Sequence, residues 1–315
     1  MAGTDQGLWG RAEPVEGVFE IRQIGHDGRP GALHSHPADP LVLEEVAGRG
    51  GFDAYAAGTA SVLLRHFPGL GLSLDVFKRD LPLRKGLSSS AAVCVLVARS
   101  FSQVHDLHLH AEVEMDIAYL GELLTGSECG RMDQICALGK TVTDLRFDGD
   151  RMSVERLVPG ATLHILVVDL RAGKDTRRIL ADLNSAFAAG DDGVREALGE
   201  QNESILERAR FALEAGKAKE LGHLMLEAQS VFDDKLAPVC PSQLTAPRLH
   251  SVLRHPAVQR HAWGGKGVGS GGDGTAQLIC RDSGSRRKLA QTLERDLEVR
   301  CHPLTLVPGT FITQV

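Results

Sequence analysis

A strand, a glycine-containing loop and a long apolar helix follow one another between residues 72 and 104. This succession constrains the fold more than any other feature of the chain. Residues 72–80 alternate apolar and polar side chains, which predicts a half-buried strand. Pro82 and Gly86 interrupt the alternation, and the apolar run over residues 88–104 predicts a helix. The fold must therefore place a loop of small and hydroxyl-bearing residues between a sheet and the start of a buried helix.

That loop, residues 82–92, reads Pro-Leu-Arg-Lys-Gly-Leu-Ser-Ser-Ser-Ala-Ala and is called the serine-rich loop below. The first N–H groups of a helix have no partner within the helix, and the helix dipole adds about half a positive charge there, so this end favours an anion. Gly86 permits close backbone approach, Lys85 adds a cation, and the serines can either cap the helix or ligate a phosphate-bound metal. The spacing differs from the Gly-x-x-x-x-Gly-Lys-Ser/Thr phosphate loop, so another nucleotide fold is required.

Length and composition narrow the class of protein. A chain of 315 residues predicts two domains, with expected bounds of residues 1–160 and 161–315. The net charge of -6 disfavours nucleic acid as a partner, and no apolar run reaches the roughly 18 residues that would span a membrane. The six cysteines include no Cys-x-x-Cys pair, and no secretion signal is visible, which predicts a cytoplasmic protein.

The remaining periodicity predicts an α+β protein, although in the first fifty residues only residues 18–22 predict a strand. The expected helices cover residues 51–66, 111–124, 130–138 and most of 174–230. The expected strands cover residues 141–147, 152–157 and 162–170, the last of them central in a sheet because it is continuously apolar. The C-terminal part predicts a second α+β layer, with a strand ending at Trp263, a strand over 275–280, a helix over 285–297 and a strand over 300–306.

The serine-rich loop resembles the ATP-binding signature of the GHMP kinase superfamily, which includes galactokinase, homoserine kinase, mevalonate kinase and phosphomevalonate kinase. The resemblance implies a two-domain α+β fold, with a mixed N-terminal sheet plus helices and a ferredoxin-like C-terminal domain with extra helices. It implies that Ser90 also ligates Mg²⁺. The implied ATP-binding residues are Lys85, Gly86, Leu87, Ser88, Ser89, Ser90 and Ala91.

A kinase that phosphorylates an alcohol needs one carboxylate near the acceptor hydroxyl and another on the metal. The segment Cys129-Gly-Arg-Met-Asp-Gln134 resembles the Cys-Gly-Ile-Met-Asp-Gln stretch of galactokinases, which implies that Asp133 is the catalytic carboxylate. Glu122, eleven residues earlier, is similar in spacing to the magnesium-ligating glutamate of mevalonate kinases. The structural alternatives are a helix N-terminal carboxylate for Asp133 and a solvated surface acid for Glu122. The sequence leaves open whether Asp133 acts as a base or as an orienting group.

Residues 264–274, Gly-Gly-Lys-Gly-Val-Gly-Ser-Gly-Gly-Asp-Gly, form the glycine-rich segment. A flexible linker is one interpretation, whereas a dinucleotide-binding fingerprint is disfavoured because a strand follows where a helix should begin. The segment is similar to the C-terminal motif with which GHMP kinases close the nucleotide site. Arg131 and Lys174 are further candidates for substrate contact. The residues implied in closure are Gly265, Lys266, Gly267, Gly269, Ser270, Gly271 and Gly272.

The N-terminal Pro-Gly-Arg/Lys-x-x-Leu-x-Gly-Glu-His-x-Asp motif of the family is not found in this sequence. We therefore expect the first strand and its motif to be absent, with an exposed strand edge and weakened catalysis. The resemblance implies an ATP- and Mg²⁺-dependent kinase of a small polar acceptor, with a sugar favoured by the Met-Asp-Gln triplet. The alternatives are a mevalonate- or homoserine-type alcohol kinase, or a nucleotide- or sugar-binding regulator that has lost its chemistry. Oligomeric state is not predicted.

Overall fold

The computed structural model describes residues 1–3, 7–25, 28–51, 53–80, 89–127, 129–139, 141–149 and 151–309. The described chain divides into two compact units. Of the described residues, the first unit comprises those within 1–141 and 145–153, and the second comprises those within 142–144 and 154–309. The architecture is a mixed α/β fold in which each unit contains its own four-stranded sheet.

The N-terminal part of the fold contains the strands β1 (Leu8–Pro14), β2 (Val18–Ile24), β3 (Pro30–Pro37) and β4 (Leu72–Arg79). Its helices are α1 (Pro40–Arg49), α2 (Ala54–His66), α3 (Ser89–Val104), α4 (Ala111–Leu123) and the short 3₁₀ helix Asp133–Leu138. The strand order is β1-β4-β2-β3, with β2 parallel to β4 and the other two pairs antiparallel. The sheet is therefore mixed, as expected.

The first fifty residues correct the prediction of a missing strand. Three strands form there instead of one, and β1 pairs with β4 along seven residues from Leu8 to Pro14. β1 and β3 are the edge strands of the sheet and carry few buried residues. Their side chains therefore do not alternate clearly between apolar and polar, which left the strand pattern weak in the sequence. The edge of β4 is consequently covered, although none of these strands contains the family motif.

The helix α2 is buried nearly all round, because small residues let its neighbours approach closely. Gly58 of α2 lies directly against the backbone of Gly121 in α4, and a Cβ at Gly58 would overlap the Gly121 carbonyl oxygen. Apolar side chains from β2, β4, α2 and α3 complete this core, including Phe19 stacked on Phe101 with 6.2 Å between ring centroids. The close crossing of α2 and α4 fixes the position of the residue that follows Gly121.

A two-stranded sheet, β5 (Val142–Asp148) and β6 (Arg151–Leu157), comes next along the chain. The C-terminal strands are β7 (Leu163–Asp169), β8 (Ala262–Gly267), β9 (Thr275–Cys280) and β10 (Arg300–Leu306). The longer helices are α5 (Thr176–Ala189), α6 (Asp192–Leu198), α7 (Glu200–Glu214), α8 (Ala218–Val231) and α12 (Ser283–Leu297). Between α8 and β8 the chain forms the π-helical turn Phe232–Leu236, the 3₁₀ helix Ala237–Val239, α9 (Pro241–Leu244), α10 (Pro247–Leu253) and α11 (Pro256–His261).

The C-terminal sheet has the order β10-β7-β9-β8 with every neighbouring pair antiparallel. Together with the helices after β7 and β9, this gives the β-α-β-β-α-β ferredoxin-like arrangement with extra helices that was expected. β7 is central, as its continuous apolar run predicts, and most of its residues are buried. Its neighbour β8 packs against α8 through a close contact of Gly264 with Gly222.

Two element predictions need correction. The strand expected to end at Trp263 begins at Ala262 and continues to Gly267, so the first glycines of the glycine-rich segment are paired strand residues. Glycine has little strand propensity, and here the tight fit against α8 and β9 determines the conformation. The helix expected over residues 130–138 is confined to the 3₁₀ helix Asp133–Leu138. Within the described part of the chain, no helix is long and apolar enough to cross a membrane.

Candidate active site

The start of α3 carries the described part of the serine-rich loop. Ser89, Ser90 and Ala91 form its first turn, where backbone N–H groups have no partner in the helix. The other predicted ATP-binding residues lie outside the described residues; these are Lys85, Gly86, Leu87 and Ser88. The Ser90 hydroxyl donates a hydrogen bond to the carboxylate of Glu122. The first turn of α3 is thus linked to α4.

Glu122 is buried, with 2% of its surface exposed, so it is not the solvated surface acid of the alternative interpretation. Its position follows from the fold, because the preceding Gly121 packs against the backbone of Thr59 in α2 and brings α4 close. Gln134 Nε2 donates to Glu122 Oε2 at 2.9 Å. The carboxylate therefore receives hydrogen bonds from side chains on both sides.

The surroundings of Glu122 shift its pKa in opposite directions. Burial raises the pKa of Glu122 most strongly, and the negative charge of Asp133 raises it further. Hydrogen bonds from Ser90 and Gln134 act in the opposite direction, because they stabilise the ionised carboxylate. A group that delivers positive charge here would relieve both the burial of the carboxylate and the repulsion by Asp133.

Asp133 begins the short 3₁₀ helix and is partly exposed. Its charge acts on Glu122, which places the two predicted carboxylates in one electrostatic neighbourhood. The structure therefore brings together three residues that are distant in sequence: Ser90, Glu122 and Asp133. An acid held at the margin of a buried site can meet a polar acceptor from solvent, while Glu122 cannot.

The 3₁₀ helix is held by a partly buried ion pair between α3 and α4. Arg99 donates from Nε at 3.0 Å and from Nη2 at 2.7 Å to the same oxygen of Glu114. Its Nη2 also donates to the carbonyl oxygen of Ala137 at 2.5 Å. This arginine therefore ties the end of the helix that starts at Asp133 to the two long helices that carry Ser90 and Glu122.

Cysteines surround the carboxylates without offering a reactive thiolate. Burial raises the pKa of Cys129 to about 11 and that of Cys136 to about 12, and the nearby carboxylate charges add to both shifts. Burial likewise raises the pKa of Cys94. These thiols stay protonated at neutral pH, so cysteine is not the nucleophile of this site.

The predicted substrate contact Arg131 lies two residues before Asp133, and its guanidinium sits over the ring of Tyr119 at 5.3 Å from the centroid. Stacking of this kind fixes the direction of a long cationic side chain. Arg131 is thus held against α4, in the same unit of the structure as Asp133.

The glycine-rich segment belongs to the second unit. Gly265, Lys266 and Gly267 are residues of β8. Gly269, Gly271 and Gly272 have positive φ angles of 64°, 78° and 73°, which explains why glycine occupies the turn that includes Ser270. The Ser270 hydroxyl oxygen within this turn is buried.

Two lysines hold this segment in place. Lys174 Nζ donates to the carbonyl oxygens of Gly271 at 2.9 Å and Val268 at 3.4 Å. Lys266 Nζ donates to the Gly267 carbonyl oxygen at 2.8 Å, and burial lowers the pKa of Lys266. The flexible-linker interpretation is therefore wrong, since the segment is a paired strand followed by a supported turn.

Gln134 and Gln229 were not among the predicted site residues. Gln134 is fully buried beside Glu122, and among the described residues no donor reaches its Oε1. Gln229 is buried at the end of α8, and its Oε1 accepts from the backbone N–H of Gly267 at 2.7 Å. Gln134 follows Asp133 in the motif, which could have drawn attention to it, whereas nothing local distinguishes Gln229.

The donor set around Glu122 suits a hard divalent cation. A carboxylate and a hydroxyl are oxygen ligands of the kind that Mg²⁺ prefers, and this ion keeps several of its waters in protein sites. The buried Oε1 of Gln134 is an acceptor for which such a water is a fitting donor. The residues present therefore fit the cofactor that the resemblance implies.

Comparison with known proteins connects this geometry to one group of enzymes. Residues 54–140 match the family model described as GHMP kinases N terminal domain. A galactokinase of Actinobacillus succinogenes is 30% identical over 192 residues, which is 57% of this chain and 49% of that protein. A mevalonate kinase of Aeropyrum pernix is 28% identical over 197 residues, which is 60% of this chain and 58% of that protein. The matches span about half the length of these curated relatives.

Solved structures extend the likeness to both units. The galactokinase of Lactococcus lactis, determined with galactose, superimposes with a TM-score of 0.76 at 17% identity. The superposition covers 98% of this chain and 87% of that protein. The fold found here is therefore the fold of that enzyme.

Proposed function

We propose that this chain, a member of the GHMP kinase superfamily by its match over residues 54–140, transfers the terminal phosphoryl group of ATP to a hydroxyl of a small polar acceptor, a sugar. The observation that carries the proposal is the convergence of Ser90, Glu122 and Asp133, which come from three separate elements. The family match supplies the reaction class, and this convergence supplies residues suited to it.

We propose a distinct role for each residue of the group. Ser90 and Glu122 would hold Mg²⁺, and the ion would neutralise negative charge on the phosphates of ATP. Asp133, being partly exposed, would accept the hydrogen bond of the acceptor hydroxyl and hold or take its proton. Arg131, fixed over Tyr119, is the cation nearest to Asp133 in sequence and would meet polar groups of the acceptor.

The roles of the remaining predicted residues rest on the resemblance. Lys85, Gly86, Leu87, Ser88, Ser89 and Ala91 are proposed to bind the phosphates of ATP. The glycine-rich segment is proposed to take part in nucleotide binding, with Lys174 as a support of that segment, since its amine is already directed at Gly271 and Val268. We also propose a cytoplasmic location, which the six free cysteines support.

A sugar acceptor is favoured by the Met-Asp-Gln triplet and by the galactokinase relatives. The likeness to the Aeropyrum pernix mevalonate kinase supports a branched alcohol as the second candidate. The two differ in the number of hydroxyl groups that the site must bind, so a direct comparison of acceptors discriminates between them.

The test is an acceptor screen in which ADP release is measured with galactose and other aldoses, mevalonate and homoserine, with ATP and Mg²⁺ present. We expect turnover with an aldose, reduced about 10²- to 10⁴-fold in Asp133→Asn. The matched control is Asp116→Asn, which changes an exposed acid of α4 and should leave turnover intact. ATP binding without turnover on any acceptor would instead identify a regulator that has lost its chemistry.

A further inference from the structure

The second unit contains a cleft of about 730 Å³ that the proposed kinase reaction does not use. Its walls are the π-helical turn Phe232–Leu236 and the short helices that follow it, up to α10. This volume is within the range of small-molecule sites in proteins, roughly 300–1,000 Å³. The residues that characterise it are Asp233, Pro238, Pro241, Leu244, His250 and Arg254.

The lining combines an apolar wall with donors for an anion. Pro238 and Pro241 present exposed rings, and the exposed Arg254 adds a guanidinium whose fork of N–H groups suits a carboxylate or a phosphate. Asp233 Oδ1 accepts a hydrogen bond from Gln229 Nε2 at 2.8 Å and lies 3.5 Å from His250 Nε2. These contacts weaken the repulsion between the Asp233 carboxylate and an anionic ligand. The cleft is therefore suited to a ring that carries an acidic group.

The backbone around the cleft has two unusual features. A π-helical turn is rare, occurs often at functional sites, and here contains Asp233. Ala246 adopts φ 42° and ψ 59°, a left-handed conformation that is uncommon for a residue other than glycine, directly before Pro247. Strain of this kind concentrates at ligand sites and switch regions.

The elements that line the cleft also contact the glycine-rich segment. Gln229 joins the cleft to β8, since its Nε2 donates to Asp233 and its Oε1 accepts from the N–H of Gly267. Phe232 packs against Gly271 so closely that a Cβ there would lie 2.5 Å from the phenyl ring. Asp273 Oδ1 accepts from the N–H of Leu249 in α10 at 2.9 Å.

We propose that this cleft is a second small-molecule site, which takes a ligand with an apolar ring and a carboxylate or phosphate group and transmits its occupancy to the glycine-rich segment through Gln229 and Phe232. The ligand's acidic group binds Arg254 and His250, and its ring packs on the prolines. A shift of the π-helical turn then alters the hydrogen bond to Gly267. Binding of a ligand in the cleft does not depend on the proposed kinase reaction.

Nuclear magnetic resonance titration of the full chain tests binding with three probes: benzoate, phenyl phosphate and the neutral isostere benzamide. We expect both anions to shift resonances of the cleft, and benzamide to bind more weakly. Arg254→Gln should weaken the affinity for benzoate about tenfold, because a charged hydrogen bond is lost, and should leave the affinity for benzamide unchanged. The matched control Arg260→Gln, an exposed arginine on α11 outside the lining, should bind benzoate normally. Equal binding of benzoate and benzamide, or no shift in the cleft, would overturn the site.

The coupling is tested by the amide resonances of Gly267 and Gly271 in the same titrations. We expect both to shift in step with the cleft resonances, in the wild type and equally in Asp133→Asn. Shifts confined to the cleft would refute transmission to the glycine-rich segment. Because Asp133→Asn removes the proposed chemistry but keeps the cleft, the failure of one proposal is distinguishable from the failure of the other.

Discussion

Glu122 depends on the hydrogen bond from Gln134, and this dependence can be measured. Replacing Gln134 with Leu removes the donor and leaves the carboxylate less fixed, and such changes next to a metal ligand typically weaken metal affinity 10- to 100-fold. We expect the Mg²⁺ concentration for half-maximal activity to rise at least about tenfold. Gln103→Leu, at an exposed position of α3, is the control and should leave it unchanged. Equal metal dependence in the two variants would contradict the role of Gln134.

Lys266 makes stability depend on pH in a defined direction. Burial lowers its pKa below the unfolded value of 10.5, so between the two values the unfolded chain binds more protons than the folded one. The free energy of unfolding should therefore rise as pH increases from the lowered pKa towards 10.5, and the contribution of Lys266 should be constant below that window. Urea unfolding of Lys266→Met should show a flatter dependence on pH in this window than the wild type. An unchanged slope would show that Lys266 is not desolvated.

At the scale of secondary-structure elements, Arg99 and Glu114 join α3, α4 and the 3₁₀ helix. Burial raises the pKa of Glu114, and the bond from Arg99 opposes that shift. Arg99→Met should cost about 3–5 kcal/mol in urea unfolding, because it leaves a buried carboxylate without its cation. Adding Glu114→Leu should recover much of the loss in stability.

The double variant also separates stability from catalysis. Its 3₁₀ helix still lacks the hydrogen bond from Arg99 to Ala137, so we expect turnover to stay low although the fold is restored. Full recovery of turnover in the double variant would show that the ion pair serves stability alone.

The crossing of α2 and α4 predicts opposite effects for two similar substitutions. Gly58→Ala would push a methyl group into the backbone of Gly121 and should destabilise the protein by about 1–3 kcal/mol. Gly48→Ala, in α1, meets nothing within 4 Å and should stabilise by up to about 1 kcal/mol, because alanine favours the helix. Thermal unfolding of both variants measures the difference. Equal effects would contradict the tight crossing that positions Glu122.

At the scale of the whole molecule, the long periodic elements were predictable and the weakly patterned ones were not. The helix α3 and the central strand β7 are strongly apolar, so their burial is visible in the sequence. β1 and β3 were not predicted because they are edge strands with few buried residues, so neither alternates clearly between apolar and polar side chains. The predicted domain bounds at residue 160 stay a prediction, and the two compact units divide the chain close to that point.

In the candidate active site too, residues within recognisable sequence patterns were predicted, and residues that act through contacts between separate elements were not. Ser90 and Asp133 were selected by short motifs and Glu122 by its spacing from Asp133; the structure adds that the three lie together, and their roles stay predictions. Gln134, Arg99 and Gln229 act through contacts between separate elements, which no local pattern reports. The missing N-terminal motif is a property of the sequence, and its predicted effect on catalysis stays a prediction.

The most direct test of the central claim follows the terminal phosphate of ATP. ATP labelled at the γ-phosphorus is incubated with Mg²⁺, the protein and the aldose panel, and the label is traced by separating phosphorylated acceptor from nucleotide. We expect label in a sugar phosphate ester with wild-type protein and with Asp116→Asn, and about 10²- to 10⁴-fold slower labelling with Asp133→Asn. Label that stays in ATP or appears only as inorganic phosphate would contradict it.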